Sequence, residues 1–288
     1  MSDPETQRAA TTVRALLQAS HPQPTIAVTA FTTALAVSAG RGRRSLAIGA
    51  AVLCGQLAVG WSNDFIDRSR DALAGRMDKP IVAGLVPAHV VRDAAVLAAI
   101  ACIPLSLLSG RRAAALHLGA VGSGLAYNLG LKQTPFSVVP YVAAFGSLPA
   151  FVTLAADDSS LPATWMIAAA ALLGAGAHFI NVLPDVEADT LTSVRGLPQR
   201  LGPTRALYGG GGLLAASLAV VATFGGHPLP PVQKALVAAN AATLAGLVGA
   251  ARRGRARRAW SLAMTSAATT VALCICKRPL RARSFMAS

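Results

Sequence analysis

Charged residues are scarce in this chain, and acidic residues are the scarcest. Of its 288 residues only 13% are charged and 12 are Asp or Glu, whereas 53% are hydrophobic. An ordinary soluble domain carries about 25% charged residues, so this composition excludes that class. The few acids in such an apolar chain therefore call for a reason.

Long apolar runs replace the missing charge, and a bilayer crossing needs about 20 apolar residues. The runs lie at about 25–45, 45–62, 88–108, 112–130, 136–155, 162–183, 205–225, 231–251 and 257–276. They predict an all-α polytopic membrane helix bundle with about nine transmembrane helices around a central pocket. Residues 1–20 lack the apolar core of a signal peptide, so we expect them to be retained.

Aromatic residues make up only 5% of the chain, although its net charge is +14. The basic residues stand in short loops such as RGRR and ARRGRARR, which favours anionic lipid headgroups over nucleic acid as the partner. No long Gly, Ser or Pro linker interrupts the sequence. We therefore expect one membrane domain over residues 1–288, with a polar segment at 1–20 and a basic tail at 277–288.

Cysteine is also rare. The four cysteines all lie inside apolar runs: Cys54, Cys102, Cys274 and Cys276. We expect small buried hydrophobic residues at these positions, neither disulfides nor metal ligands.

The distribution of charge predicts an orientation. With the N-terminus inside, about 16 of the 26 Lys and Arg residues lie on the cytoplasmic side, as the positive-inside rule requires. Ten of the 12 acids fall on that same side. The sequence therefore predicts an integral protein of the cytoplasmic membrane, with its active-site loops on the cytoplasmic face.

One acidic pattern occurs twice. NDFIDRSRD places Asp67 and Asp71 four and eight residues after Asn63, and NVLPDVEAD repeats the spacing 118 residues later. The second set consists of Asn181, Asp185 and Asp189. Four apolar runs separate the two sets, which indicates an internal four-helix repeat.

Residues at i, i+4 and i+8 project from one face of a helix. Two such stripes facing each other would line a gap with four carboxylates, and these need a cation between them. Mg²⁺ suits such a site, because it binds carboxylates together with substrate phosphates. We expect a diphosphate bridged by Mg²⁺ at this place, with Asp67, Asp71, Asp185 and Asp189 as its catalytic residues.

Basic and polar residues follow the acidic sets and stand in a third loop of the same face, YNLGLK. They are Arg76, Lys79, Arg195, Tyr127, Asn128 and Lys132. Fixed cations would stabilise a diphosphate leaving group as negative charge develops on it. Together with Asn63, Asp64 and Asn181, these residues are the predicted substrate-binding set.

The chain resembles the UbiA superfamily of intramembrane prenyltransferases from about residue 13 to 276. NDFIDRSRD matches its first motif, N-D-x-x-D-x-x-x-D, and DVEAD followed by RGLPQRLG is similar to its second. The resemblance implies nine helices and two Asp-rich cytoplasmic loops that bind a Mg²⁺ polyprenyl diphosphate. It also implies transfer of the prenyl group to a small acceptor, often aromatic. By the same resemblance Asn63, Asp67, Asp71, Asp185 and Asp189 are the metal ligands, and Asp64 is a motif member.

Two alternatives stay open at this point. A UbiA-type terpene cyclase would ionise the same donor and let the chain's own double bonds attack the cation, and the motifs do not distinguish it from a transferase. A transporter or lipid-binding membrane protein could use the acids to bind cations, although acids beside basic loops fit phosphate better than a midplane ion site.

Overall fold

A computed structural model describes residues 4–155, 160–183, 189, 194–224 and 229–276. In those ranges the chain is all-helical, with eleven α-helices, one short 3-10 helix and no β-strand. The α-helices are α1 (Pro4–Ala19), α2 (Pro22–Ser38), α3 (Arg44–Leu73), α4 (Ala88–Leu107), α5 (Arg111–Leu129), α6 (Val139–Leu154), α7 (Thr164–Val182), α8 (Leu197–Leu201), α9 (Pro203–Thr223), α10 (Pro231–Arg252) and α11 (Ala256–Cys276). The 3-10 helix, Leu131–Gln133, follows α5.

Six of the helices are long and apolar enough to cross a membrane: α3, α4, α7, α9, α10 and α11. The outer face of α4 shows why they need lipid, since Val96, Leu97 and Ile100 are 51%, 66% and 58% exposed. Helices α2 and α6 are shorter, with 17 and 16 residues. The predicted all-helical membrane bundle is thus confirmed, whereas the number of nine crossings stays a prediction.

The helices form a closed ring. Within the ring α2 packs on α3, α3 on α5, α5 on α6, α6 on α7, α7 on α9, α9 on α11, and α11 on α2. Helices α4 and α10 pack on the outside, and none of their residues lines the central cavity. This arrangement brings α3, which carries the first acidic set, to the same cavity as α7, which carries Asn181.

Small residues allow the inner helices to approach closely. A Cβ on Gly174 of α7 would lie 2.6 Å from the Cβ of Phe145 on α6, and one on Gly60 of α3 would lie 2.6 Å from the Ser20 carbonyl oxygen. Both distances are shorter than any real contact, so these positions require glycine. Small residues at helix crossings are typical of membrane bundles.

The two acidic sets differ in local structure despite their equal spacing. α3 continues as one helix of 30 residues through the whole first set and ends at Leu73, shortly before Gly75 at φ 65°. α7 ends at Val182, one residue after Asn181. Proline disfavours helix at the residue before it, and Pro184 stands in the second set. Asn181 therefore belongs to α7 and Asp189 is again helical beyond its end, whereas Asp185 lies outside the described residues, so a single helical stripe over the second set stays a prediction.

The four cysteines differ in burial, although the sequence predicted that all are buried. Cys102 is buried, Cys54 and Cys274 are half-buried, and Cys276 is exposed at the last residue of α11. The expectation of burial was wrong for Cys276, because a helix end leaves the side chain without neighbours on one side.

Candidate active site

Asp67 lies at the centre of a charged cluster at one end of the cavity. Lys132 Nζ is 2.5 Å from both carboxylate oxygens, and Arg70 Nη2 is 2.6 Å from Oδ1. The Lys132 side chain is 5% exposed. Burial lowers the pKa of this ammonium group, and the neighbouring Asp67 opposes that effect. The cluster is thus a half-buried anion held by two cations, of which Lys132 is buried.

Two amides order the polar face beside Asp67. Asn128 donates through Nδ2 to the Val59 carbonyl and to Ser62 Oγ, both at 2.8 Å. Its Oδ1 accepts a hydrogen bond of 3.1 Å from Asn63 Nδ2, which also donates to Asp67 Oδ2 at 3.2 Å. Because both contacts use Nδ2 of Asn63, the side-chain oxygen Oδ1 of this residue is left for a ligand in the cavity.

Asp64 has a different environment from its neighbours in the motif. It is 2% exposed and is not among the residues that line the cavity. Lys79 Nζ lies 2.6 Å and His21 Nε2 3.2 Å from its Oδ1. Asp64 thereby holds Lys79, in the loop after α3, and His21, directly before α2. Both of these side chains line the cavity.

Asp71 and Arg76 also line the cavity at this end. Arg76 forms a two-pronged ion pair with Asp78, with Nε to Oδ1 and Nη2 to Oδ2 both at 2.9 Å. The guanidinium lowers the pKa of Asp78, whose side chain is 62% exposed. The structure thus places four basic side chains around the first acidic set: Arg70, Arg76, Lys79 and Lys132.

The second set contributes less to the described site. Asn181 is exposed to the cavity and accepts a 3.3 Å hydrogen bond from Trp260 Nε1 of α11. Asp189 lines the cavity and accepts from Gln199 Nε2 at 2.8 Å. Asp185 lies outside the described residues. No group of three acidic, histidine or cysteine side chains forms a ready metal site in the described ranges.

Of the other predicted residues, Tyr127 lines the cavity and packs edge-on against Tyr141 at 5.3 Å. Arg195 is exposed and is absent from the cavity wall. Its backbone carbonyl instead accepts a 2.7 Å hydrogen bond from Arg200 Nε. The structure thus brings together all the predicted residues that it describes except Asp64 and Arg195.

Four polar residues of the site were not singled out from the sequence: His21, Arg70, Gln199 and Trp260. Arg70 carried a usable signal, because it stands three residues after Asp67 and such pairs meet on a helix. The other three reach the site through contacts between distant segments. Those contacts leave no local pattern.

Below the charged end the cavity is apolar. Its volume is about 470 Å³, and its wall includes Phe31, Phe145, Leu148, Leu173 and Met264. The site therefore offers charge at one end and hydrocarbon walls within the bundle. This combination fits an amphiphile with an anionic head.

Fold and site together define a class, the membrane helix bundles in which a charged end opens into an apolar cavity. A family model for the UbiA prenyltransferase family matches residues 15–270, and the chain belongs to that family. It is an integral membrane protein. No curated protein matches the sequence.

Solved structures share the fold at low identity. A UbiA homologue from Aeropyrum pernix K1 in its apo form has a TM-score of 0.68 and 22% identity, with 87% of this chain and 98% of that chain covered. A UbiA homologue from Archaeoglobus fulgidus bound to GPP and Mg²⁺ gives 0.65 and 16%, with 90% and 99% covered. The same homologue bound to DMAPP and Mg²⁺ gives 0.64 and 15%, with 90% and 98% covered.

Proposed function

We propose that the protein is a Mg²⁺-dependent intramembrane prenyltransferase that ionises a polyprenyl diphosphate and transfers the prenyl group to a small, mostly apolar acceptor. The observation that carries this is the Asp67 cluster with Lys132 and Arg70 at the mouth of an apolar cavity of about 470 Å³. Family membership supports the reaction, and structures of a homologue with DMAPP or GPP and Mg²⁺ support the donor class.

The basic side chains would bind the diphosphate. Lys132, Arg70, Arg76 and Lys79 surround the acidic set from three segments of the chain. As the bond between the prenyl carbon and the diphosphate oxygen breaks, negative charge grows on the leaving group. Fixed cations then stabilise the transition state more than the bound substrate.

The oxygen donors of the site fit Mg²⁺. Asn63 presents a carbonyl oxygen, and Asp67, Asp71 and Asp189 present carboxylates to the same cavity. These are the hard ligands that Mg²⁺ takes together with substrate phosphates and water. We propose that these residues and Asp185 hold Mg²⁺, which when bound would neutralise the diphosphate. No complete metal site is needed beforehand, since phosphate oxygens supply part of the coordination.

The apolar walls serve the second half of the reaction. A prenyl cation reacts with water, and a cavity lined by Phe31, Leu148 and Leu173 keeps water away from it. The face of Tyr127 lies near the charged end and could stabilise the cation. The acceptor, aromatic or otherwise electron-rich, would then capture the cation in the cavity.

We further propose that nine helices cross the membrane, the six identified by length and composition together with α2, α5 and α6. All nine belong to the ring or pack on it. In each proposed half, the helix that carries the asparagine packs on its predecessor and successor: α3 on α2 and α4, and α7 on α6 and α9. This supports a four-helix repeat.

The charge distribution supports a cytoplasmic position for the charged end.

One assay separates transfer from its alternatives. Purified protein in detergent is given geranyl, farnesyl or geranylgeranyl diphosphate with Mg²⁺, with and without a panel of phenolic acceptors. We expect diphosphate release together with a prenylated acceptor. A hydrocarbon or cyclic alcohol formed without any acceptor would favour a terpene cyclase. If no diphosphate is released under any condition, both enzyme functions are contradicted, and a transporter or lipid-binding protein is the remaining alternative.

A further inference from the structure

A histidine lies in the wall of the apolar cavity, away from the charged end. His117 is 3% exposed and belongs to α5, eleven residues before Asn128. At 1.5 Å per residue this separates the two by about 16 Å along the helix. Its ring stacks on Phe151 with 4.6 Å between centroids and 14° between planes. The prenyl-transfer chemistry proposed above gives this residue no role.

The hydrogen bonds of Ser106 determine which ring nitrogen of His117 carries the proton. Ser106 Oγ donates its single proton to the Cys102 carbonyl at 2.6 Å. The same oxygen lies 2.8 Å from His117 Nδ1. Since the hydroxyl proton is already used, Ser106 accepts and Nδ1 donates. In the neutral imidazole, Nε2 is therefore an unprotonated hydrogen-bond acceptor.

Nε2 is left open toward the cavity. Gly55 and Val121 line the cavity beside it. A Cβ at position 55 would lie 3.3 Å from Nε2, so the absence of a side chain at Gly55 uncovers this edge of the ring. Within the described ranges Nε2 has no hydrogen-bond partner. The stacking on Phe151 and the bond to Ser106 hold the ring in place, so the open acceptor is preorganised.

A hydrocarbon chain cannot satisfy this nitrogen, and a buried polar group without a partner is costly. We propose that His117 Nε2 binds an O–H or N–H group of the prenyl acceptor, an elongated and mainly apolar molecule whose polar substituent enters the cavity first. The bound O–H or N–H group lies about 16 Å along α5 from Asn128 at the charged end. It is therefore too far from the diphosphate to be the group that is prenylated. It anchors the far end of the acceptor and so sets how its reactive end is presented. Naming the ligand as the prenyl acceptor rests on the proposed function.

The test compares 4-hexylphenol with its methyl ether, in which a methyl group replaces the hydroxyl proton and the O–H donor is lost. Their dissociation constants are measured by calorimetry on the full-length protein in detergent micelles. We expect the wild type to bind the phenol about fivefold more tightly, the factor that one hydrogen bond of average strength gives. In His117→Leu the ratio should fall to about one, and in His117→Asn, which keeps a carbonyl acceptor, part of it should return.

Two further variants make the assignment specific. Ser106→Ala removes the acceptor for Nδ1–H without touching the cavity, because Ser106 is fully buried behind His117. The proton is then free to occupy Nε2, and we expect the preference for the phenol to fall at least threefold. Met264→Leu, a change of similar volume in the cavity wall, should leave the ratio unchanged and controls for a nonspecific change of that wall.

A ratio near one in the wild type, or a ratio unaffected by His117→Leu, would overturn the inference. Diphosphate release from a prenyl diphosphate is measured on the same preparations and keeps the two proposals apart. Release without discrimination between the ligands contradicts the His117 site alone. Discrimination that depends on His117, without release from any donor, supports the site as a binding site and contradicts prenyl transfer.

Discussion

At the scale of single residues, Asp64 and Asp78 are two aspartates with opposite surroundings. The Asp64 side chain is 1% exposed and pairs with Lys79 and His21, whereas that of Asp78 is 62% exposed. Breaking a buried ion pair costs about 3–5 kcal/mol, while an exposed pair contributes about 0–1 kcal/mol. We expect Asp64→Ala to lower the free energy of unfolding by the larger amount and Asp78→Ala by the smaller. Equal melting temperatures for the two variants in detergent would show that the Asp64 pair is not structural.

Lys132 is predicted to act on the substrate. Lys132→Met removes the cation nearest to Asp67 and should raise the KM for the prenyl diphosphate at least tenfold. We expect this rise in KM because the substrate loses a charge-assisted contact with the buried Lys132 side chain. Lys234→Met, at an exposed lysine of α10, serves as the control and should leave the kinetics unchanged. An unaltered KM in Lys132→Met would mean that this ammonium group only supports Asp67.

Individual site residues were predictable where the same residue types recur at a fixed spacing in the sequence. The spacing of Asn63, Asp67 and Asp71 on one helix predicted their common face, and all three line the cavity. His21 was not predictable, because its place at the site depends on the packing of the segment before α2 against α3. Asp64 stands in the same motif but turns away from the cavity. A helix has more than one face, and the motif does not state which one is buried.

At the scale of helices, the close approach at Gly60 predicts a measurable cost. Gly60→Ala would bring a methyl group to 2.6 Å from the Ser20 carbonyl, and overpacking of this kind costs about 1–3 kcal/mol. A Cβ at Gly122 of α5 meets nothing within 4 Å, so Gly122→Ala should be neutral or stabilising by up to about 1 kcal/mol. Thermal melting of both variants checks the difference. Equal losses would contradict the packing of the α1–α2 connection on α3.

The apolar runs predicted the helices well, but their ends less so. The run that was expected to end at residue 62 continues to Leu73 in α3. No proline or glycine occurs between Trp61 and Ala74, and Arg70 pairs with Asp67 along the same face. The helix of the second set ends earlier, since α7 ends at Val182, two positions before Pro184 in the sequence. Hydropathy marks where lipid ends, whereas helix ends follow backbone chemistry.

At the scale of the whole molecule, the proposed nine crossings predict which loops share a side. Single cysteines are introduced at exposed loop positions in a chain whose four native cysteines are alanine. Asp78→Cys and Arg253→Cys should react with an impermeant thiol reagent from the cytoplasmic side only. Arg43→Cys and Arg112→Cys should react from the opposite side only. Reaction of Asp78→Cys and Arg253→Cys from opposite sides would contradict the crossing of α5 or α6, because six crossings between the two positions place them on one side.

The ring of helices itself was only partly predictable. The repeat of the acidic pattern indicated that α3 and α7 belong to one site, and both line the cavity. The sequence did not indicate that α4 and α10 stay outside the ring, because they are as apolar as the inner helices. Which helices line the cavity depends on close contacts, such as that of Gly174 with Phe145. In the sequence Gly174 is one small residue among many, and nothing there indicates that it contacts Phe145.

We propose above all that the two acidic sets form one Mg²⁺-dependent site for a prenyl diphosphate. It is tested most directly by diphosphate release from farnesyl diphosphate, with the acceptor that gives the highest rate, at a series of Mg²⁺ concentrations. We expect release by the wild type to require Mg²⁺ and to be reduced at least a hundredfold in Asp67→Asn and in Asp185→Asn. Asp93→Asn, at an exposed pair with Arg92, should retain the wild-type rate. Full release by either site variant, or release that is independent of Mg²⁺, would contradict the account.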